Sequence, residues 1–247
     1  MKIIGIIPAR YASTRFPGKP LVNIGGKSMI QRVYEQVKSC KSLTEVVVAT
    51  DDTRIQQHVE AFGGKVVMTS SDHPSGTDRC AEVIQSYNDY DVVINIQGDE
   101  PFINPEQIDM LAILFQESDT EIGTLVKRIE TTAELFNENS PKVVFNSKRQ
   151  ALYFSRQTIP FQRGVARENW LDHQAYYKHI GIYGYRRHIL QEITNLNASA
   201  FEKSESLEQL RWLENGYIIK VAESMFETVA VDTPEDLEQI QRIYFKH

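Results

Sequence analysis

The sequence predicts an α/β fold built on a mostly parallel sheet, and three observations carry that expectation. Short β-branched runs alternate with amphipathic stretches, one run is apolar throughout, and strict two-residue alternation enters only in the second half. Runs at 2–8, 45–50, 65–68 and 92–96 read as strands, and stretches at 28–40, 54–62, 77–87 and 105–116 as the helices between them. Strand-helix-strand order of this kind covers both faces of the sheet. Its right-handed crossovers open the strand ends on one edge, where open α/β sheets take their ligands.

The grammar changes after about residue 122. Residues 142–156 alternate around a polar turn at 146–150, which predicts a β-hairpin. Its aromatic and aliphatic residues, with a strand at 176–185, serve either to cover the site or to pair with a second subunit. A helix at 204–215, a strand at 217–222, a short strand at 229–231 and a helix from 234 onward complete the pattern. Thr233, Pro234 and Asp236 supply the cap, the first-turn proline and the acidic third position of that last helix. Residues 1–247 read as a single domain with a hairpin insertion near 140–185.

A net charge of −6 argues against general binding of nucleic acid or of anionic membrane, because both need a basic face. No apolar run has the length of a membrane span, and the apolar start at 3–7 runs into Pro8 and Arg10 as a buried strand would. Cys40 and Cys80 lie far apart within helical patterns, with neither zinc nor disulfide spacing, so a reducing cytoplasm is the expected compartment.

Chemistry collects in three places. The segment PARYASTRFPGKP, residues 8–20, gathers Arg10, Arg15 and Lys19 in one loop of an acidic chain. Arginine forks and a lysine point charge, with the Ser13 and Thr14 hydroxyls, suit phosphate oxygens. A merely solvated basic loop is the plainer alternative, but Pro8, Pro17, Gly18 and Pro20 would be wasted on one. Neither the dinucleotide glycine fingerprint nor the glycine-lysine-serine phosphate loop occurs, so side chains must do that work. The second place, Ser75-Gly76-Thr77-Asp78-Arg79, precedes a helix; Ser75 or Thr77 suits a cap, and Gly76 admits a flat base. Third, the apolar run 92–96 ends in Gln97-Gly98-Asp99, where a carboxylate suits magnesium, with Asp232 as a second carboxylate.

The runs PARYASTRFPGKPL, SSDHPSGTDRCAEV, NIQGDEP, ALYFSRQTIPF, HIGIYGYR, LEQLR and VDTPEDLE, in this order, resemble the 3-deoxy-manno-octulosonate (Kdo) cytidylyltransferase family over nearly the whole chain. The resemblance implies the Rossmann-like fold of nucleotide-diphospho-sugar transferases, a dimerisation hairpin, and transfer of CMP from CTP to Kdo with release of pyrophosphate. It implies Mg2+ on Asp99 and Asp232, and CTP near Pro8, Ala9, Arg10, Ser13, Lys19, Ser75, Gly76 and Gln97. Arg10, Lys19 and Asp99 would be catalytic. Arg15, Arg79, Gln97, Arg156, His179, Tyr183, Glu208 and Gln209 would meet the sugar. Alternation supports part of this, because it places His179, Gly181 and Tyr183 on one strand face, with Ile180 and Ile182 on the other. Pattern alone favours a hydrogen-bonded structural role for His179, while Leu207, Leu210 and Leu213 form a core stripe that leaves Glu208 and Gln209 solvated. A transferase for another sugar, a nucleotide-binding regulatory subunit and a structural partner are the competing expectations.

Overall fold

In the computed structural model, which describes residues 1–12, 16–227 and 229–245, the apolar N-terminal run forms strand β1 (Ile3–Ala9) at the centre of a parallel array. A hairpin of β2 (Asn23–Ile24) and β3 (Lys27–Ser28) turns through Gly25-Gly26, both at positive φ, and was not foreseen. There follow α1 (Met29–Lys38), β4 (Glu45–Thr50), α2 (Thr53–Ala61), β5 (Val66–Met68), α3 (Gly76–Gln85), β6 (Val92–Asn95) and α4 (Pro105–Leu114). β1 lies between β4 and β6, and β5 flanks β4, all parallel. Ile4, Ile6, Ile7, Val47, Val48, Val93 and Ile94 are fully buried, as strands covered on both faces require.

The chain divides into two compact units, and the second, Ile113–Glu227, interrupts the first. It comprises β7 (Ile122–Arg128), α5 (Thr132–Leu135), β8 (Lys142–Phe145), β9 (Ala151–Ser155), α6 (Trp170–His173), β10 (Tyr177–Arg186), α7 (Arg187–Ile193), α8 (Ala200–Glu205), α9 (Gln209–Glu214) and β11 (Ile219–Glu223). β8 and β9 are the expected hairpin, turning where Asn146 N–H meets the Gln150 carbonyl at 2.9 Å. β7 pairs antiparallel with β10 and parallel with β11. Ile129, Leu135, Trp170 and Tyr176 form a local core.

Two expected elements differ. The helix expected at 204–215 is two helices, α8 and α9, because Ser206 takes a left-handed φ of 51° and ends α8. The β-branched segment 229–231 forms no strand among the described residues; Val231 N–H makes a single bond to the Asp99 carbonyl at 2.9 Å. The last helix, α10 (Pro234–Phe245), returns to the first unit. There Val231 and Ile240 pack with Ile24 and Met29, against Phe16, Val22, Phe102 and Leu237. That cluster carries Asp232 to the carboxyl end of β6.

Candidate active site

The cationic loop has a defined backbone on both sides. Gly18 N–H bonds to the Tyr11 carbonyl at 2.9 Å, and Leu21 N–H bonds to the Gly18 carbonyl at 2.9 Å. Gly18 has φ 72°, a conformation that glycine adopts without steric cost, and it starts a short 3-10 turn over Lys19–Leu21 with Pro20 in its first positions. The backbone of Lys19 is therefore held. Arg10, half-buried just past the end of β1, donates to the carbonyl of His73. Ser13 and Arg15 lie outside the described residues.

Lys19 extends to both acidic candidates: its Nζ donates to Asp99 Oδ2 at 2.9 Å and to Asp232 Oδ1 at 3.1 Å. The three side chains expose 15%, 26% and 40% of their surface, so the cluster is half-buried and open on one side. Each acid is placed by backbone. Asp99 follows β6, whose line continues through Ile96 N–H to the Ile6 carbonyl at 2.9 Å. Asp232 is placed by Asp236, whose carboxylate accepts from the backbone N–H groups of Asp232 and Thr233, both at 2.9 Å, while Thr233 Oγ1 accepts from Asp236 N–H at 3.3 Å. The cap read from the sequence thus also orients a site carboxylate. No group of three or more metal-ligating side chains occurs among the described residues.

Gln97 and Gly98 turn beside Pro8. A Cβ on Gly98 would lie 2.7 Å from the Pro8 carbonyl oxygen, so only glycine lets the two loops approach this closely. Ser75 caps α3: its Oγ accepts from Asp78 N–H at 3.2 Å and donates to Asp78 Oδ2 at 2.6 Å. Gly76 faces the Pro8 ring, 3.3 Å from where its Cβ would be. Pro8, Ala9, Arg10, Lys19, Ser75, Gly76, Gln97, Asp99 and Asp232 all belong to the first unit. Arg79 belongs there too, but it is an interior residue: its side chain is 0% exposed, donates to Thr69 Oγ1 and lies 3.5 Å from Asp51. Burial lowers its pKa, with the Asp51 charge opposing. The guanidinium presents no surface for the sugar contact expected of it.

The other sugar candidates lie in the second unit. His179 and Tyr183 come together, with ring centroids 5.2 Å apart. His179 Nε2 is 3.1 Å from Thr124 Oγ1, and burial pulls its pKa down to about 3, so the ring is neutral. The Tyr183 hydroxyl is buried near Thr124 without completing a well-formed hydrogen bond, and burial, reinforced by the charge of Glu208, holds its pKa well above the usual value. Gln209 is only 4% exposed, and its buried Nε2 has no partner; the solvated position expected from the leucine stripe is overturned. The stripe itself is Leu207, Leu210 and Trp212, and the indole meets Tyr183 edge-on at 5.1 Å. Glu208 is 3.7 Å from Arg211. Arg156 is committed to backbone: Nε donates to the Glu205 carbonyl at 2.6 Å, and Nη1 and Nη2 donate to the Glu138 and Ser206 carbonyls at 3.3 Å. It anchors the segment leading into Glu208 and Gln209. Thr124 escaped the sequence reading, because a lone hydroxyl in an apolar run carries no signal; Trp212 escaped it too, since the stripe was read through Leu213, and Asp236 was read as part of a helix cap only.

Lys19 of the cationic loop against two carboxylates, Asp99 just past β6 and Asp232 beside it, on this fold, fits a nucleotidyltransferase. The cytidylyltransferase family model matches residues 4–240, and the chain belongs to that family. It is 59% identical to the 3-deoxy-manno-octulosonate cytidylyltransferase of Parabacteroides distasonis over 244 residues, 97% of this chain and 96% of the relative. The enzyme of the same name from Thermodesulfovibrio yellowstonii is 52% identical over 249 residues, 98% of each chain. A solved CMP:2-keto-3-deoxy-manno-octonic acid synthetase complexed with CTP superposes with a TM-score of 0.91, at 44% identity and 98% coverage of both chains. A glucose-1-phosphate thymidylyltransferase structure from Bacillus anthracis, at 16% identity and a TM-score of 0.65, over 98% of this chain and 94% of that one, shares the fold.

Proposed function

We propose that this chain transfers CMP from CTP to the anomeric hydroxyl of Kdo, giving CMP-Kdo and pyrophosphate for lipopolysaccharide assembly. The observation that carries the reading is the cluster of Lys19, Asp99 and Asp232 at the strand ends of a cytidylyltransferase. In the reaction the sugar hydroxyl attacks the α-phosphorus of CTP and gives up its proton to solvent, the bond to the bridging oxygen breaks, and pyrophosphate leaves with the electron pair. Phosphoryl-type transfer depends chiefly on positioning and on charge neutralisation. Lys19 and Arg10 offset charge on the phosphate oxygens, beside the turn at Gln97 and Gly98 that packs closely against the β1 backbone at Pro8. His179, neutral and not fully covered, suits a hydroxyl of an uncharged part of the sugar.

Asp99 and Asp232 suit Mg2+, a reading supported by the two carboxylates lying close enough to share the Lys19 ammonium. Two carboxylates completed by phosphate oxygens and water are the usual donor set for that ion, which when bound supplies charge neutralisation on the phosphates. The second unit is assigned to a homodimer, supported by the exposed Leu152 on β9 and exposed Phe161 beyond it. A cytoplasmic location accords with two free buried thiols, and no helix among the described residues is long and apolar enough to cross a membrane.

Pyrophosphate release tests the function, with Mg2+ and each of CTP, UTP, ATP and GTP against Kdo, sialic acid and glucose 1-phosphate. Release with CTP and Kdo alone is the expected result. Release with another pair would overturn the substrate assignment, and silence with CTP still bound would return the chain to a regulatory role.

A further inference from the structure

The contact between Lys19 and the two carboxylates raises a question that the reaction does not answer. The cation expected to neutralise phosphates is here neutralising the residues expected to hold the metal. We propose that Lys19 is a removable place-holder: it blocks Asp99 and Asp232 against free divalent cations, and it releases them when a nucleotide triphosphate draws its ammonium away. This inference rests on the magnesium reading above, and adds an order to it, with metal and nucleotide entering together.

Three features make the lysine the part that moves. Asp99 and Asp232 are tied through the backbone bond from Val231 N–H to the Asp99 carbonyl and through the Asp236 cap, so their positions are set by the fold. Lys19 has a held backbone in the 3-10 turn but a flexible four-carbon stem, which lets the ammonium change partners without disturbing the loop. The cluster is open to solvent on one side, so an entering polyanion competes directly for that ammonium. Its charges make the two arrangements mutually supporting. With the ammonium in place, two carboxylates and one cation present a single net negative charge to an ion that sheds water reluctantly, a weak inducement. With the ammonium on phosphate, both carboxylates and the phosphate oxygens are available together.

The test uses Mn2+ as the probe, with free ion read by electron paramagnetic resonance on the full chain in the absence of substrate. Lys19→Met is expected to bind one Mn2+ at least about tenfold more tightly than wild type, equivalent to ~1.4 kcal/mol. Adding Asp99→Asn to that variant is expected to abolish the gain, which separates this site from the rest of an acidic surface. Lys19→Gln provides a second variant, and melting curves verify that each is folded. Wild type binding Mn2+ as tightly as Lys19→Met, in an Asp99-dependent way, would overturn the place-holder and leave the magnesium reading intact. Equal binding by Lys19→Met and its Asp99→Asn derivative would also overturn it. In that case, titration of wild type and Asp99→Asn with CTP present decides the underlying reading, which falls if no Asp99-dependent metal appears there.

Discussion

Gly98→Ala probes the close approach of the Gln97-Gly98 turn to Pro8, beside the nucleotide candidates. The added methyl would sit 2.7 Å from the Pro8 carbonyl oxygen, inside the 3.0 Å that real Cβ contacts essentially never breach. Pro8 cannot yield easily, because β1 is paired on one side with β4 at this level, Pro8 opposite Ala49. The turn at 97–99 must therefore retreat by several tenths of an ångström, and Asp99 retreats with it. Its 2.9 Å contact with Lys19 then opens toward the limit of a hydrogen bond. Overpacking of this kind costs about 1–3 kcal/mol. For a chain of this size that is roughly 2–4 °C of melting temperature per kcal/mol. A site misplaced by a fraction of an ångström to one ångström loses up to ~100-fold in turnover. Differential scanning calorimetry and pyrophosphate release measure the two effects on one preparation. Gly76→Ala is the internal comparison, since its methyl would come no nearer than 3.3 Å, to the Pro8 side chain, with Asn95 Nδ2 at 3.8 Å, and a smaller loss is expected. A Gly98→Ala protein with wild-type melting and turnover would refute the claim that this approach positions Asp99.

Lys19→Ala is expected to lower kcat by about 10²–10³-fold, as for one lost charge-stabilising donor, with the melting temperature nearly unchanged; preserved turnover would reject the phosphate role. Asp236→Ala removes the acceptor of two backbone N–H groups at the start of α10 and is expected to cost ~1 kcal/mol. It should also raise the Mg2+ concentration for half-maximal activity, whereas Asp236→Asn, which keeps an acceptor oxygen, should recover much of both; an unchanged Mg2+ requirement in Asp236→Ala would sink the positioning role. His179 sets a pH dependence. Its pKa is near 3 when folded and near 6.5 when unfolded, so between these values only the unfolded chain binds the proton. Stability should fall as pH drops from 6.5 toward 3, by up to ~1.4 kcal/mol per pH unit, with no contribution above pH 7. Urea unfolding at pH 7 and pH 5 is expected to show wild type losing ~2 kcal/mol more than His179→Gln; equal losses would contradict a histidine held neutral.

The nucleotide candidates were legible because they are locally anomalous. An apolar strand running into Gln97-Gly98-Asp99, and three cations in a proline-bounded loop of an acidic chain, are hard to explain as core or as solvated surface. What the sequence could not show is that Lys19 reaches across 80 and 213 residues to those acids, since nothing local encodes that pairing. The segment 229–231 misled for a related reason. A β-branched run buries equally well in a strand or in a loop, and Val231 makes one backbone bond to Asp99 where a ladder was expected.

The sugar candidates were legible only through family resemblance, and the structure explains why. Along β10 the alternation that grouped His179 with Tyr183 is interrupted, because Ile180 pairs with Leu125 while Tyr183 pairs with Thr124, its next residue. The irregularity inserts Gly181 and Ile182, an even number, so His179 and Tyr183 remain opposite Val126 and Thr124 on one face. A one-residue bulge would have separated them, and no local feature of HIGIYGYR distinguishes the two cases. In α9 the stripe shifts from Leu213 to Trp212 because the helix starts afresh at Gln209 after the left-handed Ser206, and this restart turns Gln209 inward. A buried amide nitrogen without a partner is then a consequence of where a helix begins. The sugar candidates are therefore set by a bulge and a helix break, two backbone events whose effect on side-chain direction depends on counting residues in three dimensions.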